Sequence, residues 1–258
     1  MHNEILTIGN FTIHGYGLMI GLGVLAALIL GDYRAKKLGL DSDHIYGMTF
    51  FAVVLGFLAA RILFVFTQWQ AFLANPLSFF SGNGFVVYGG IIGGAITIYV
   101  FCKIKKINML EYLDLMIPSV ALAQAFGRGG CFLAGCCYGR ETDSCIGIVF
   151  QNSDFAPNGV KLLPTQLIMS AGDLLIMAVL LWYAAKRPVR GRVSALYLIL
   201  YSIGRFAVEF LRDDDRGMVG LLSTSQFIAI FVFLLGLAGY SIILPKMYGR
   251  EKKEDVAE

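Results

Sequence analysis

Seven stretches of this chain are apolar over the length of a membrane crossing, and that leaves few folds open. They run over roughly 13–32, 46–68, 85–102, 111–135, 165–185, 193–211 and 223–245. Each holds about 17–25 mostly apolar residues, enough for a helix to traverse ~30 Å of hydrocarbon. Lipid offers no partner to backbone N–H and C=O groups, so such a segment must satisfy them internally as a helix. Composition agrees: 57% of residues are hydrophobic and 15% charged, against about 25% charged in an ordinary soluble domain. The expected fold is all-α, a polytopic membrane protein of seven transmembrane helices.

Orientation follows from the connecting segments. Those at 33–45, 103–110, 186–192 and from 246 onward together hold 14 Lys and Arg, whereas those at 1–12, 69–84, 136–164 and 212–222 hold 4. The positive-inside rule then puts the N-terminus outside and the C-terminus in the cytoplasm. The first apolar segment lacks a basic leader and is followed by Arg34, Lys36 and Lys37, so it reads as a retained helix rather than a cleaved signal. We expect one membrane domain over 1–245, an external loop at 136–164 rich in Gly, Asn, Asp and Cys, and a charged cytoplasmic tail at 246–258. The net charge of +3 is small, and no nucleic-acid partner is expected.

The remaining three arginines, Arg61, Arg128 and Arg205, lie within the apolar segments. A guanidinium at bilayer depth is costly and marks a functional site by default. With alternating helix direction, all three fall in the outer portions of their segments, as do Tyr16, Tyr88 and Asp173. Glu209 follows Arg205 by four residues and shares its helix face. One Glu against three arginines leaves positive charge suited to an anion, and a phospholipid phosphate is the anion at hand. A simple Arg205–Glu209 structural pair is the alternative.

The densest stretch runs from Gly127 to Arg140, with Arg128, Cys131, Cys136, Gly139 and Arg140 among five glycines. Glycines permit close backbone approach, and an arginine fork matches two phosphate oxygens. A helix end packed through small residues is the competing reading. Gly89, Gly90, Gly93 and Gly94 form overlapping small-residue pairs that suit helix packing. Cys131, Cys136, Cys137 and Cys145 cluster on the external side, spaced C-x4-C-C-x7-C. No standard zinc pattern has that spacing, and a disulfide involving Cys145 is one outcome in an oxidising exterior.

These residues resemble the prolipoprotein diacylglyceryl transferase family over nearly the whole chain. The resemblance rests on His14-Gly15-Tyr16-Gly17-Leu18-Met19, Ala60-Arg61-Ile62, Tyr88-Gly89-Gly90, Gly127 through Arg140, Pro164-Thr165-Gln166 and Tyr201 through Arg212. It implies a seven-helix enzyme of the bacterial inner membrane whose site opens to the outer leaflet. Such enzymes move the diacylglyceryl group of phosphatidylglycerol onto the lipobox cysteine of a prolipoprotein, and no cofactor is implied. Arg128 and Arg205 match the essential arginines that contact phosphate, and Glu209, Tyr201 and Tyr16 match positions near the site.

On that resemblance the catalytic candidates are Arg128, Arg205, Tyr88 and Glu209. The substrate-binding candidates are Tyr16, Arg61, Gly89, Gly90, Cys131, Cys136, Gly139, Arg140 and Tyr201. The chain departs from the family where Tyr88 replaces a histidine, Cys131 and Cys136 replace an Asn and a Glu, and Leu163 replaces a second histidine. A phenol with pKa ~10 is a weaker base than imidazole at ~6.5, though a thiol at ~8.5 needs little help. A same-fold transferase with another acceptor, and a thiol-redox or metal-binding protein built on the external cysteines, are the alternatives.

Overall fold

The computed structural model describes residues 4–8, 11–76, 84–214 and 217–245; the charged tail read at 246–258 lies outside them. In chain order come β1 (Glu4–Ile8), β2 (Phe11–His14), α1 (Gly15–Leu38), α2 (Ser42–Thr67), α3 (Trp69–Ala74), α4 (Val87–Lys105) and α5 (Met109–Ala134). Then follow β3 (Ile148–Val149), β4 (Lys161–Leu162), α6 (Thr165–Ala185), α7 (Arg192–Glu209), β5 (Met218–Val219), β6 (Leu222–Ser223) and α8 (Thr224–Ala238), the last running into a π-helical turn at Gly239–Ile243. Each apolar segment predicted above is helical over most of its length.

Six of these helices are long and apolar enough to cross a membrane, which makes this a multi-pass membrane protein. In α2 only 11% of the most apolar window is buried within the protein, so its side chains are left for lipid to cover. The helix α7 carries Arg192, Arg205 and Glu209 within its 18 residues and is not among the six.

The first predicted segment begins two residues early: residues 11–14 are not helix but the second strand of an antiparallel hairpin with β1, pairing Ile8 with Phe11 and Thr7 with Thr12. The run Ile-Leu-Thr-Ile, three of its four residues β-branched, followed in sequence by Gly9-Asn10 and Phe-Thr-Ile, carries that signal.

The chain divides into two compact units, where the sequence reads as one membrane domain. One comprises Gly31–Tyr112, the other Met1–Leu30 with Leu113–Glu258. In the first, α2 and α4 approach through small residues: a Cβ added to Gly89 would stand 2.6 Å from the Ala59 carbonyl oxygen, and one on Gly56 3.3 Å from that of Gly90.

In the second unit Ala121, Leu180, Val193 and Tyr197 form a core shared by α5, α6 and α7. Its one deep polar group is satisfied, since the Tyr197 hydroxyl donates to Gln124 Oε1 at 2.7 Å. The start of α7 has no side-chain cap of its own. Asp114 on α5 supplies one, accepting from Gly191 N at 2.6 Å, Ser194 N at 2.8 Å and Ser194 Oγ at 2.7 Å. A carboxylate there meets both the orphan N–H groups and the positive end of the helix dipole. Asp114→Ala should therefore cost about 1–2 kcal/mol, read as a lowered unfolding temperature of the detergent-solubilised protein.

The stretch 136–164 carries structure of its own. Ile148 and Val149 pair with Leu162 and Lys161, and Phe150, Ala156 and Leu162 form a small core of their own, joined by Phe132 from the end of α5.

Candidate active site

The site of the second unit begins where α5 ends. Gly135 adopts a left-handed conformation (φ 79°), which turns the chain back so that Cys136 N donates to the Cys131 carbonyl at 3.1 Å and Gly135 N to that of Phe132 at 3.2 Å. This is a Schellman ending, and glycine carries it without the Cβ penalty. Cys137 is also left-handed (φ 61°). Two successive turns thus gather the sulfurs of Cys131, Cys136 and Cys137 within 4.8 Å of one another. All five cysteines are free thiols, and Cys145 is exposed, so the structure does not contain the disulfide considered for it.

The turn is clamped from α6. Thr165 Oγ1 donates to the Cys137 carbonyl and Gln166 Nε2 to the Cys136 carbonyl, both at 2.7 Å, and both clamping residues are fully buried. Outside the spans, the Cys137 thiol is held well below the usual thiol range by hydrogen bonds from Cys131 and Cys136, with Arg212 and Arg128 adding to the effect. Cys136 is pushed the other way by its bonds to Cys131 and Cys137 and by burial.

Within this unit Arg128, Arg205 and Arg212 come within electrostatic reach of one another. Arg205 donates to Glu209 Oε2 at 2.7 Å and to Ser225 Oγ at 2.6 Å. Arg212 forms a two-pronged pair with Asp214, Nε to Oδ1 at 2.9 Å and Nη2 to Oδ2 at 2.7 Å. Arg128 is half-buried and makes neither a hydrogen bond nor an ion pair among the described residues. It lies within electrostatic reach of Tyr201, Cys131, Cys137 and the buried Asp173, and Arg205 feels the charge of both Arg212 and Arg128. Two of the three cations thus have their own carboxylates, and the third has none among the described residues.

The rest of the second-unit candidates surround this trio. Tyr16 lies against Gly130, whose added Cβ would meet the Tyr16 ring at 3.2 Å, and it senses Cys131, Cys136, Cys137 and Arg128. Tyr201 stacks on Tyr197 with ring centres 5.6 Å apart. Buried Gly139 and exposed Arg140 act through backbone: Gly139 N donates to Leu163 O and Arg140 N to Leu211 O, both at 3.0 Å, while Arg140 O accepts from Leu163 N at 3.0 Å. This ladder ties the loop to the residues around Arg212.

Four candidates belong to the other unit. There Arg61 donates to the Gly84 carbonyl at 2.7 Å and faces the rings of Phe64 and Phe85 at 5.7 and 5.3 Å. Tyr88 is exposed in the first turn of α4. Gly89 and Gly90 serve the approach to α2 described above, the packing reading of those glycines.

Sequence reasoning reached Arg212 only as the last residue of a segment that resembles the family, without giving it a place in the site, and missed Ser225 altogether. Ser225 had no signal, because only the placement of α8 brings it to Arg205.

Comparison with known proteins bears on what such a constellation is for. A phosphatidylglycerol–prolipoprotein diacylglyceryl transferase of Clostridium tetani is 51% identical over 231 residues, covering 89% of this chain and 93% of the relative. One from Clostridium perfringens, designated transferase 2, is 49% identical over 243 residues, 93% of this chain and 94% of its own length. A third, from Clostridioides difficile, is 33% identical over the full length of both chains. The prolipoprotein diacylglyceryl transferase profile matches residues 3–242. With relatives this similar over this much of its length, the chain belongs to the prolipoprotein diacylglyceryl transferase family.

Proposed function

We propose that this protein transfers the diacylglyceryl group of phosphatidylglycerol to the lipobox cysteine thiol of a prolipoprotein, forming a thioether and releasing glycerol phosphate. The relatives' names support both substrates, and family membership does not favour a protein whose main task is thiol redox or metal handling. The observation that carries the assignment of roles is that Arg128 has no hydrogen bond or ion pair among the described residues, while Arg205 and Arg212, within electrostatic reach, are engaged with carboxylates.

A headgroup phosphate needs an unengaged cation. Arg128 offers two parallel N–H donors, and in a poorly hydrated site these strengthen as the leaving glycerol phosphate gains charge. Arg205, oriented by Glu209 and Ser225, reinforces the field on the departing phosphate, and Tyr16 and Tyr201 border the lipid. Cys131 and Cys136 line the same turn, while Gly139 and Arg140 hold the loop through their backbones. As the family resemblance implies, Tyr88 orients or helps deprotonate the acceptor thiol, Arg61 is a secondary contact for the phosphate, and Gly89 and Gly90 belong to the substrate-binding set.

The site lies toward the outer leaflet of the bacterial cytoplasmic membrane, within seven crossings that leave the N-terminus outside and the C-terminus inside. The Lys and Arg asymmetry supports that orientation. The helix α7 is the seventh crossing, its charged residues tolerated because Arg205 and Glu209 neutralise each other within the protein.

The test is direct. Purified protein in micelles with phosphatidylglycerol and a lipobox peptide should yield a thioether-linked diacylglyceryl peptide by mass spectrometry, and none when the peptide cysteine is replaced by serine. Turnover of the lipid without modification of that cysteine would overturn the acceptor assignment.

A further inference from the structure

The three gathered thiols take no chemical step in the transfer just described, although two of them line its site, and their arrangement has a chemistry of its own. Thiolates bound to one metal ion lie about 2.3 Å from it, which puts the ligand sulfurs ~4 Å apart when three surround the ion. The sulfurs of Cys131, Cys136 and Cys137 already stand within 4.8 Å of one another. The positions are set by backbone rather than by an ion. Cys136 is folded onto Cys131 by the left-handed turn at Gly135, and the carbonyls of Cys136 and Cys137 are pinned by fully buried Gln166 and Thr165. Such a set loses little entropy on binding.

From this geometry we infer that Cys131, Cys136 and Cys137 form a three-thiolate site for a soft, thiophilic cation, copper(I) being the best match. Softness selects the class, because thiolate donors favour copper(I) over hard ions such as magnesium or calcium. Ligand number selects within the class. Among the described residues no other His, Cys, Asp or Glu joins the group, whereas structural zinc takes four protein ligands.

Charge points the same way. Three thiolates around one monovalent ion leave a doubly negative cluster, and Arg128 and Arg212 both act on these sulfurs. A bare cation would be repelled there, while the thiolate complex is stabilised. Each thiol that binds gives its proton to solvent, so uptake releases protons. The site is additional to the transferase reading and does not depend on it.

Full-length reduced protein in detergent, titrated without oxygen with copper(I) held by a chromogenic chelator, should remove one equivalent from the chelator. The copper X-ray absorption spectrum of that complex should show a first shell of sulfur alone. A variant carrying Cys102→Ser and Cys145→Ser should still take one equivalent, and Cys137→Ser should take none under the same competition. No transfer of copper to the unaltered protein would overturn the site. So would a first shell of nitrogen or oxygen, or loss of uptake on changing Cys102 and Cys145. The first two readings need no variant, so a poorly folded Cys137→Ser protein does not blunt the test.

Discussion

Arg128→Ala should lower diacylglyceryl transfer by about 10³-fold or more, while the protein still accumulates in the membrane and unfolds near its usual temperature. The magnitude follows from removing a preorganised donor pair aimed at developing charge, for which the loss of a single donor typically costs 10²–10³ in rate. Stability should change little because Arg128 has no hydrogen bond or ion pair to lose among the described residues. Its Coulombic neighbours, Asp173 among them, are the only groups released. Arg128→Lys separates charge from geometry. A lysine keeps the charge but presents one point donor in place of the fork, so about 10–100-fold should be lost. Peptide modification is the readout, and transfer by Arg128→Ala within about tenfold of the unaltered protein would remove Arg128 from its role.

Gly139→Ala should be nearly as damaging, for a reason unrelated to charge. The new Cβ would lie 2.7 Å from the carbonyl oxygens of both Leu163 and Leu211 and 2.7 Å from Thr165 Cγ2. Neither carbonyl is free to retreat: one accepts from Gly139 N and the other from Arg140 N, each at 3.0 Å. Overpacking of this kind costs about 1–3 kcal/mol, and each neighbouring hydrogen bond that breaks adds roughly 1 kcal/mol.

The segments that must part carry the site. Thr165 holds the Cys137 carbonyl, and Leu211 precedes Arg212. Transfer should therefore fall at least about tenfold together with the unfolding temperature, in proportion to that strain. Gly172→Ala is the matched comparison, since a Cβ there meets nothing within 4 Å and alanine suits a helix interior better by about 0.5–1 kcal/mol. Equal effects from the two substitutions would show that the close approach at Gly139 does not matter.

The two predictions draw on different levels of legibility. Arg128 stood out in sequence because a charge inside an apolar run is conspicuous, and the Arg205–Glu209 pair because four residues is one helical turn. Which arginine remained free was not legible. It depends on Ser225 reaching Arg205 and on Asp214 curling back to Arg212, and neither contact has a period or a composition.

The cysteines illustrate the same division. Their C-x4-C-C spacing fits no familiar metal pattern, yet the left-handed turns at Gly135 and Cys137 bring three sulfurs together. The hairpin of β1 and β2 was signalled by β-branched residues, but a helix-length apolar segment masked it. The division into two units had no boundary in composition, since it arises from which helices pack together.

The sequence by itself determined that this is a multi-pass, helical membrane protein of the prolipoprotein diacylglyceryl transferase family. A bilayer imposes a length and a polarity on each crossing residue by residue, and those constraints are written locally. Only the tertiary structure decided that Arg128 is without an ion pair among the described residues, that Ser225 reaches Arg205 and that Thr165 and Gln166 pin the turn where three thiols gather. Such contacts join residues 20–30 positions apart in the chain, and only packing sets their distances.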